Sequence, residues 1–379
     1  MNLRRFLLLA IITGLILGML SLISPKSLGV SDLRLQRLSQ GVNLNRWFSQ
    51  TELTHETFQT RITAEDVQIV KDLGFQHVRL PIDPEILFDE DNPARLNPDN
   101  LPYVDAALDM ILEEGLAVIV DLHAEADFKG RLYNDATLVD QFAQFWQTLA
   151  EHLSHRNPDL VFLEVMNEPA TEDPQIWYNI QEELLAAMRA GAPENTLIAS
   201  ANQRVGDVWI PIAALEELEP VSDPNVVYNF HFYEPKHFTH QGATWTWDVV
   251  SHYRNIPFPS SPQAIAPILS SIEDEQARQR LRSYGEYRWN AERLDDLISR
   301  AAAWATKHHV SVTCNEFGVF RPFAPEADRA QWHADVRRLF EQYNIGWTVW
   351  AYGGGFNIVR EVNNQRTANP ALIDALLGS

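Results

Sequence analysis

The 379-residue chain contains a single cysteine, Cys314. No intrachain disulfide can form and no cysteine-based zinc site is possible; the redox compartment stays open, because a large core needs no disulfides. Positive charge is scarce as well. Lys and Arg total 30 against 51 Asp and Glu, a formal net charge of −21. Such a surface repels nucleic acid and anionic membrane, both of which need local positive charge in a partner. It also disfavours strongly anionic polysaccharides, whereas neutral sugars remain compatible; a solvated, soluble surface accounts for the charge equally well. The chain has no visible internal repeat and no low-complexity tract, and no Gly-rich phosphate loop follows a strand candidate. It also lacks His-x-His: the one adjacent histidine pair is His308-His309. That pattern counts against a metal-dependent hydrolase built on His123, His231, His237 and Asp121, and no cofactor or metal is expected.

Apolar residues are abundant, at 45% hydrophobic and 10% aromatic, the composition of a globular protein with a large core. Arg4 and Arg5 precede an apolar run over 6–23, interrupted only by Thr13, Gly14, Gly18 and Ser21. A positive start followed by such a run is an export signal. At about 18 residues it is barely long enough to span a bilayer, and Ser24-Pro25-Lys26 is a poor cleavage site. Residues 1–30 therefore read either as a cleaved signal peptide or as an uncleaved membrane anchor, with the body outside the cytoplasm. The remainder, 31–379, reads as one domain.

Within it, short apolar runs alternate with amphipathic stretches. Strand candidates fall at 41–45, 77–80, 117–122, 161–167, 196–200, 226–231, 310–315 and 346–351. Leu138, Phe142, Phe145, Trp146, Leu149 and Leu153 recur at helical spacing, as do Ile180, Leu184, Leu185 and Met188. Thr63 and Asp66 open a capped helix that Gly74 ends, and Gly115 and Gly191 fall at two further helix ends. Eight near-continuous apolar strands separated by helices predict a parallel (β/α)8 TIM barrel, with a doubly wound open sheet as the rival. One region is too long and too aromatic for a connector: 234–287, after the sixth strand, holds Trp245, Trp247, Tyr253 and Phe258.

Catalytic groups of such a barrel sit at the C-terminal ends of its strands. Those positions carry Arg79, His123, Asn167, Glu168, His231, Tyr233, Glu316 and Trp350. Each alone has a plainer explanation, such as a structural ion pair, a satisfied core histidine or a core tryptophan. All eight are polar or aromatic where an apolar strand stops, and two are glutamates on different strands. Glycoside hydrolysis needs two opposed carboxyl groups whose environments separate their proton affinities. Asp121 and Glu164 read as structural, with Glu164 spaced to support Glu168.

From about Gly41 to the C-terminus the chain resembles glycoside hydrolase family 5, a group of retaining barrel enzymes. The resemblance rests on Asn167-Glu168-Pro169, His231-Phe232-Tyr233 and Glu316-Phe317-Gly318 in that order. It implies that Glu168 is the general acid/base and Glu316 the nucleophile. Asn167 would hold the 2-hydroxyl of the sugar. Arg79 and Tyr233 would orient Glu316 and keep it ionised, and His231 would lie near Glu168. His123 would bind the sugar, over a stacking floor made by Trp350. The implied partner is a neutral β-linked carbohydrate, with endo-β-1,4-glucanase activity first and β-mannanase or exo-β-glucosidase activity as alternatives on the same frame. A non-catalytic sugar-binding barrel is the non-enzyme alternative; its expected mark, loss of a carboxylate, is absent. Trp47, Trp245 and Trp247 flank the expected pocket, and at least one of them is expected to contact a neighbouring sugar.

Overall fold

The computed structural model describes residues 29–362 and 365–378; the N-terminal apolar run lies outside them. Eight parallel strands close into a barrel: β1 (Gln40–Asn43), β2 (His77–Ile82), β3 (Ala117–Leu122), β4 (Val161–Glu164), β5 (Leu197–Ser200), β6 (Val226–Phe232), β7 (Ser311–Phe317) and β8 (Gly346–Val349). Each strand pairs with the next in sequence, and β8 returns to β1. The expected barrel is therefore present, and every strand candidate matches a strand. Strand ends differ by a few residues where pairing becomes irregular. β7 carries the clearest case: Phe230 pairs with Cys314 but His231 pairs with Glu316, so Asn315 is an extra residue in the ladder. A bulge of this kind re-aims side chains, and here Asn315 and Glu316, adjacent in sequence, both reach the barrel interior.

Strand side chains alternate between the barrel interior and the helical ring with a period of two. Val118, Val120 and Leu122 of β3 join the large core beneath the helices. Ala117 and Ile119 instead join Phe162, Ile198 and Val227 in a small apolar layer at the bottom of the barrel. The helix Asp32–Arg37 closes that end: Leu38 and Leu35 cover the layer, and Arg34 ties the helix to Asp159 at 2.7 Å and to the Glu194 carbonyl at 2.7 Å. One step up the same strands the interior becomes charged, and one step further it opens to the cavity. β3 runs Ile119, Asp121, His123, and β6 runs Val227, Asn229, His231 with Tyr233 just beyond.

Both predicted amphipathic helices form, as Ala136–Ser154 and Pro174–Gly191. The Asp66 carboxylate accepts the Thr63 N–H at 2.8 Å, opening the helix Ala64–Leu73. Gly74 ends that helix at φ 101, a left-handed conformation that costs glycine little. Gly191 falls at the end of its helix, as expected, and packing gives it a further reason to be glycine. A Cβ there would lie 2.2 Å from the Gln147 carbonyl oxygen, so glycine is required by close approach of two helices. The segment after β6 folds into Lys236–Thr239, a 3-10 turn Asp248–His252, and helices Pro262–Leu269 and Glu275–Tyr287, before the barrel helix Ala291–His308. Several of its aromatic residues are buried in the large core that also lies beneath the barrel helices: Tyr253 and Tyr284 donate to the carbonyls of Ala277 and Pro257.

Candidate active site

Arg79 lies fully buried at the centre of the charged layer. Its Nε and Nη2 grip Glu164 at 2.9 and 2.8 Å, and Nη2 also meets Asp121 Oδ2 at 2.9 Å and Asn167 Oδ1 at 2.9 Å. Nη1 donates to Glu316 Oε1 at 2.8 Å and to Asn43 Oδ1 at 3.0 Å. Burial opposes the guanidinium charge, but Asp121, Glu164 and Glu316 outweigh it and hold the group firmly cationic. Glu164 therefore supports Arg79 rather than Glu168, and Asn229 and Asn315 occupy its remaining acceptor sites at 3.1 and 2.7 Å. Burial pushes Asp121 up to about 6 against the pull of Arg79.

Above this layer, Tyr233 donates its hydroxyl to Glu316 Oε2 at 2.9 Å, so both oxygens of Glu316 are held. Burial, then the Glu316 charge, raises the Tyr233 phenol well above its ordinary value. Glu168 lies across the cavity, with one carboxylate oxygen within 4.8 Å of one on Glu316. His231 Nδ1 is 3.0 Å from Glu168 Oε1 and 3.6 Å from Glu316 Oε2. Burial works against a charged imidazole here, but Glu316 and then Glu168 outweigh it and raise His231 above the ordinary 6.5. For Glu168, burial favours the neutral acid, yet the His231 hydrogen bond and the charges of His231, Lys129 and Lys236 draw it down to about 2. The opposed shifts favour the proton of this 3.0 Å contact on the imidazole side. The trio Glu168, His231 and Glu316 has the spacing of a metal site, but Arg79, in direct contact with Glu316, opposes a second cation.

His123 donates from Nδ1 to Asp121 at 2.9 Å, leaving Nε2 as acceptor for Asn167 Nδ2 at 3.2 Å and Gln50 Nε2 at 3.1 Å. Burial lowers it to about 3, so the ring is neutral, and it stacks on Trp350 at 5.7 Å and 12°. Asn167 gives its oxygen to Arg79 and one N–H to His123, and its second N–H has no partner among the described residues. Of the strand-end residues expected at the site, all except Arg79 and His231 line one cavity of about 670 Å³. A second cavity of about 1070 Å³, bordered by Asp83, Glu85 and Asn97, shares Glu125 and Ala126 with it.

Backbone geometry singles out the acid/base candidate. Glu168 has φ 43, a left-handed conformation that costs a non-glycine residue about 1–3 kcal/mol and persists only where the surroundings enforce it. Pro169 follows, and it removes an N–H from the same turn.

The three tryptophans behave differently. Trp47 is 2% exposed, packs on Phe48 and donates its indole N–H to the Phe58 carbonyl at 2.8 Å. It has no free face, and the expectation of a sugar contact there is corrected: the first strand's loop turns its ring into the core. Trp247 packs edge-on against His237 with Arg280 over its ring and does not border the cavity. Trp245 is 60% exposed, stands edge-on to Phe320 and lines the cavity. Sequence reading missed Gln50, Lys129, Trp209, Lys236 and His240, which also line it. Trp209 had a readable signal: Gly206-Asp207 joins Arg204–Val205 to Val208–Trp209 as a two-residue hairpin. The others sit on irregular segments whose course depends on the fold.

Residues 39–355 match the cellulase family, glycosyl hydrolase family 5. Endoglucanase C of Acetivibrio thermocellus is 30% identical over 319 residues, covering 82% of this chain and 90% of that protein. Cellodextrinase A of Ruminococcus flavefaciens is 28% identical over 323 residues, 83% of this chain and 85% of that one. Among solved structures, endoglucanase Cel5A of Thermotoga maritima superposes with a TM-score of 0.73 at 24% identity, covering 90% of this chain and 98% of that one.

Replacing Arg79 with Met leaves Asp121, Glu164 and Glu316 buried together without their shared cation. Breaking a buried pair by removing one partner costs about 3–5 kcal/mol, and we expect at least that loss in denaturant unfolding. A cost under about 1 kcal/mol, the range of an exposed ion pair, would show that the charged layer does not bind the barrel together.

Proposed function

The chain belongs to glycosyl hydrolase family 5, and on that premise we propose that it cleaves internal β-1,4 bonds of a neutral glucan with retention of configuration. The observation that carries this reading is the carboxylate spacing. One oxygen of Glu168 and one of Glu316 approach within 4.8 Å, which supports the closely spaced carboxyl pair of retaining enzymes, roughly 5–5.5 Å, over the wider pair that admits a water for direct displacement. The glucan assignment is supported by relatives described as endoglucanase and cellodextrinase. The second cavity adjoining the first supports internal cleavage, because a chain has room to continue past the reacting bond.

In this reading Glu316, oriented by Arg79 and Tyr233, attacks the anomeric carbon and forms a glycosyl ester. The bond to the leaving oxygen breaks as Glu168 gives that oxygen a proton. Electrostatics couples the two events. The charge on Glu316 favours the proton on His231; as that charge passes into the new C–O bond, the proton moves towards Glu168, 3.0 Å away. In the second step Glu168 takes a proton from water, whose oxygen attacks the anomeric carbon and returns Glu316 as a carboxylate. Asn167 offers its unengaged N–H to the 2-hydroxyl, and Trp350 supplies an apolar wall for the ring.

Glu168→Gln and Glu316→Gln are each expected to lower turnover by at least about 10²-fold, with unfolding little changed. Proton NMR of the first-formed product of a β-glycoside should show the β-anomer, with or without a chelator. An initial α-anomer, or either variant keeping more than about a tenth of wild-type activity, overturns the mechanism.

Trp245 is proposed as a neighbouring subsite, since sugar rings present C–H faces to an exposed indole. Trp245→Ala should lower kcat/KM on long oligosaccharides far more than on a short aryl glycoside, because remote binding energy is used in the transition state. Trp47→Ala should instead cost about 3–5 kcal/mol of stability and affect both substrates alike. The same chain-length profile for both variants would refute the subsite.

The protein is further proposed to be exported, as a soluble extracytoplasmic enzyme or one anchored through residues 6–23. Arg4, Arg5 and the apolar run support this. A fusion of residues 1–30 to a reporter active only outside the cytoplasm should give signal; a silent, cytosolic fusion refutes export.

A further inference from the structure

The left-handed turn that presents Glu168 is held from outside its own loop. Lys129 and Tyr133 lie one helical turn apart, on and just after the short helix Ala126–Leu132 that follows β3, and residues at that spacing share a helix face. Lys129 Nζ donates to the Glu168 carbonyl oxygen at 3.0 Å, and the Tyr133 hydroxyl accepts the Ala170 N–H at 3.0 Å. The two contacts bracket Pro169, whose missing N–H leaves the turn short of a donor of its own. From the opposite side, Gln203 N–H donates to the Pro169 carbonyl at 2.7 Å. Lys129 borders the same cavity as Glu168, and its charge acts on the Glu168 carboxyl as well as on its backbone.

We propose that Lys129 is a positioning residue for the acid/base: it clamps the Glu168 carbonyl, aims the carboxyl at the leaving oxygen and places a fixed cation beside it. The inference rests on Glu168 being the acid/base. Its electrostatic part acts among several charges. Glu168 interacts with His231 and Tyr233 from β6 and just beyond it, with Glu316 from β7, with Asp121 and His123 from the end of β3, and with Lys236 and His240 from the short helix Lys236–Thr239 and its end; Glu125, at the start of the Lys129 helix, acts on Lys129 itself. Burial lowers the proton affinity of Lys129, and Glu168, Asp121, Glu316 and Glu125 oppose that shift. A cation at Lys129 makes the single proton of the Glu168–His231 pair easier to lose. Removing that cation therefore raises the pH at which the pair loses its proton, and the alkaline limb of kcat/KM moves to higher pH.

The test compares Lys129→Met, Lys129→Arg and Glu168→Ala on 2,4-dinitrophenyl and 4-methylumbelliferyl β-cellobiosides and on a cello-oligosaccharide. A dinitrophenolate leaves without protonation; the other leaving groups need the acid. Glu168→Ala should lose kcat/KM selectively, by about 10²-fold or more where the acid is needed. If it loses all three substrates equally, the acid/base reading of Glu168 fails. Given selective loss in Glu168→Ala, Lys129→Met should fall about 10-fold or more on the two demanding substrates and less than about 3-fold on the dinitrophenyl glycoside. Its alkaline limb should move upward. Lys129→Arg, which keeps the charge and a donor, should restore the wild-type limb and most of the discrimination. Equal loss on all substrates in Lys129→Met, no loss on any, or an unmoved alkaline limb overturns the positioning role while leaving Glu168 in place.

Discussion

A guanidinium in the middle of a barrel must be compensated on every side, and the compensation around Arg79 connects most of this molecule. Its hydrogen bonds and ion pairs reach Asn43 on β1, Asp121 on β3, Glu164 on β4, Asn167 beyond β4 and Glu316 on β7. Desolvating such a cluster is costly, and a set of apolar side chains would stabilise the fold as well or better. The planar, forked geometry of arginine lets one cation hold three carboxylates while orienting two amides. The fold and the placement of Glu316 thus depend on one charge. Any change that loosens the barrel at this level also loosens Glu316.

The period of two along the strands sorts the interior into layers. Apolar side chains close the bottom, the Arg79 cluster fills the middle, and polar and aromatic groups face the cavity. Regularity ends at the two carboxylates. The extra residue at Asn315 lets Glu164 keep a partner while Glu316 still faces inward, and a left-handed Glu168 turns its carboxyl across the cavity. Both departures are stabilised by contacts made elsewhere, which is how strained backbone survives at a functional site. The one proton between Glu168 and His231 follows from the same economy of charge: with Glu316 ionised a few ångströms away, the field favours the imidazolium.

Much of this was legible in the chain. Near-continuous apolar strands bounded by polar residues identified the eight strands of the barrel, because a buried parallel strand must be apolar on both faces. The same boundaries pointed to the eight strand-end residues, and the closed barrel brings three of them, Glu168, His231 and Glu316, together. The segment after the sixth strand reads as an insertion, and Tyr253, Phe258 and Tyr284 within it extend the core of the barrel. Trp47 was misjudged since a tryptophan just past a strand reads identically whether its ring turns outward or, as here, into Phe48 and Phe58.

Sequence alone determined the barrel, the order of its strands and the chemical character of their ends, since these follow from local hydrophobic periodicity and from which residues interrupt it. It could not determine which partners those residues take. Glu164 and Glu168 lie four positions apart in one segment, yet one serves Arg79 below the cavity and the other His231 within it. Lys129 carries no local sign of its hydrogen bond to Glu168, 39 residues away. Pairings of this kind depend on where closed strands and irregular loops bring distant side chains. Only tertiary structure decides that, because the free energy of a buried charge depends on every group around it and not on its neighbours in sequence.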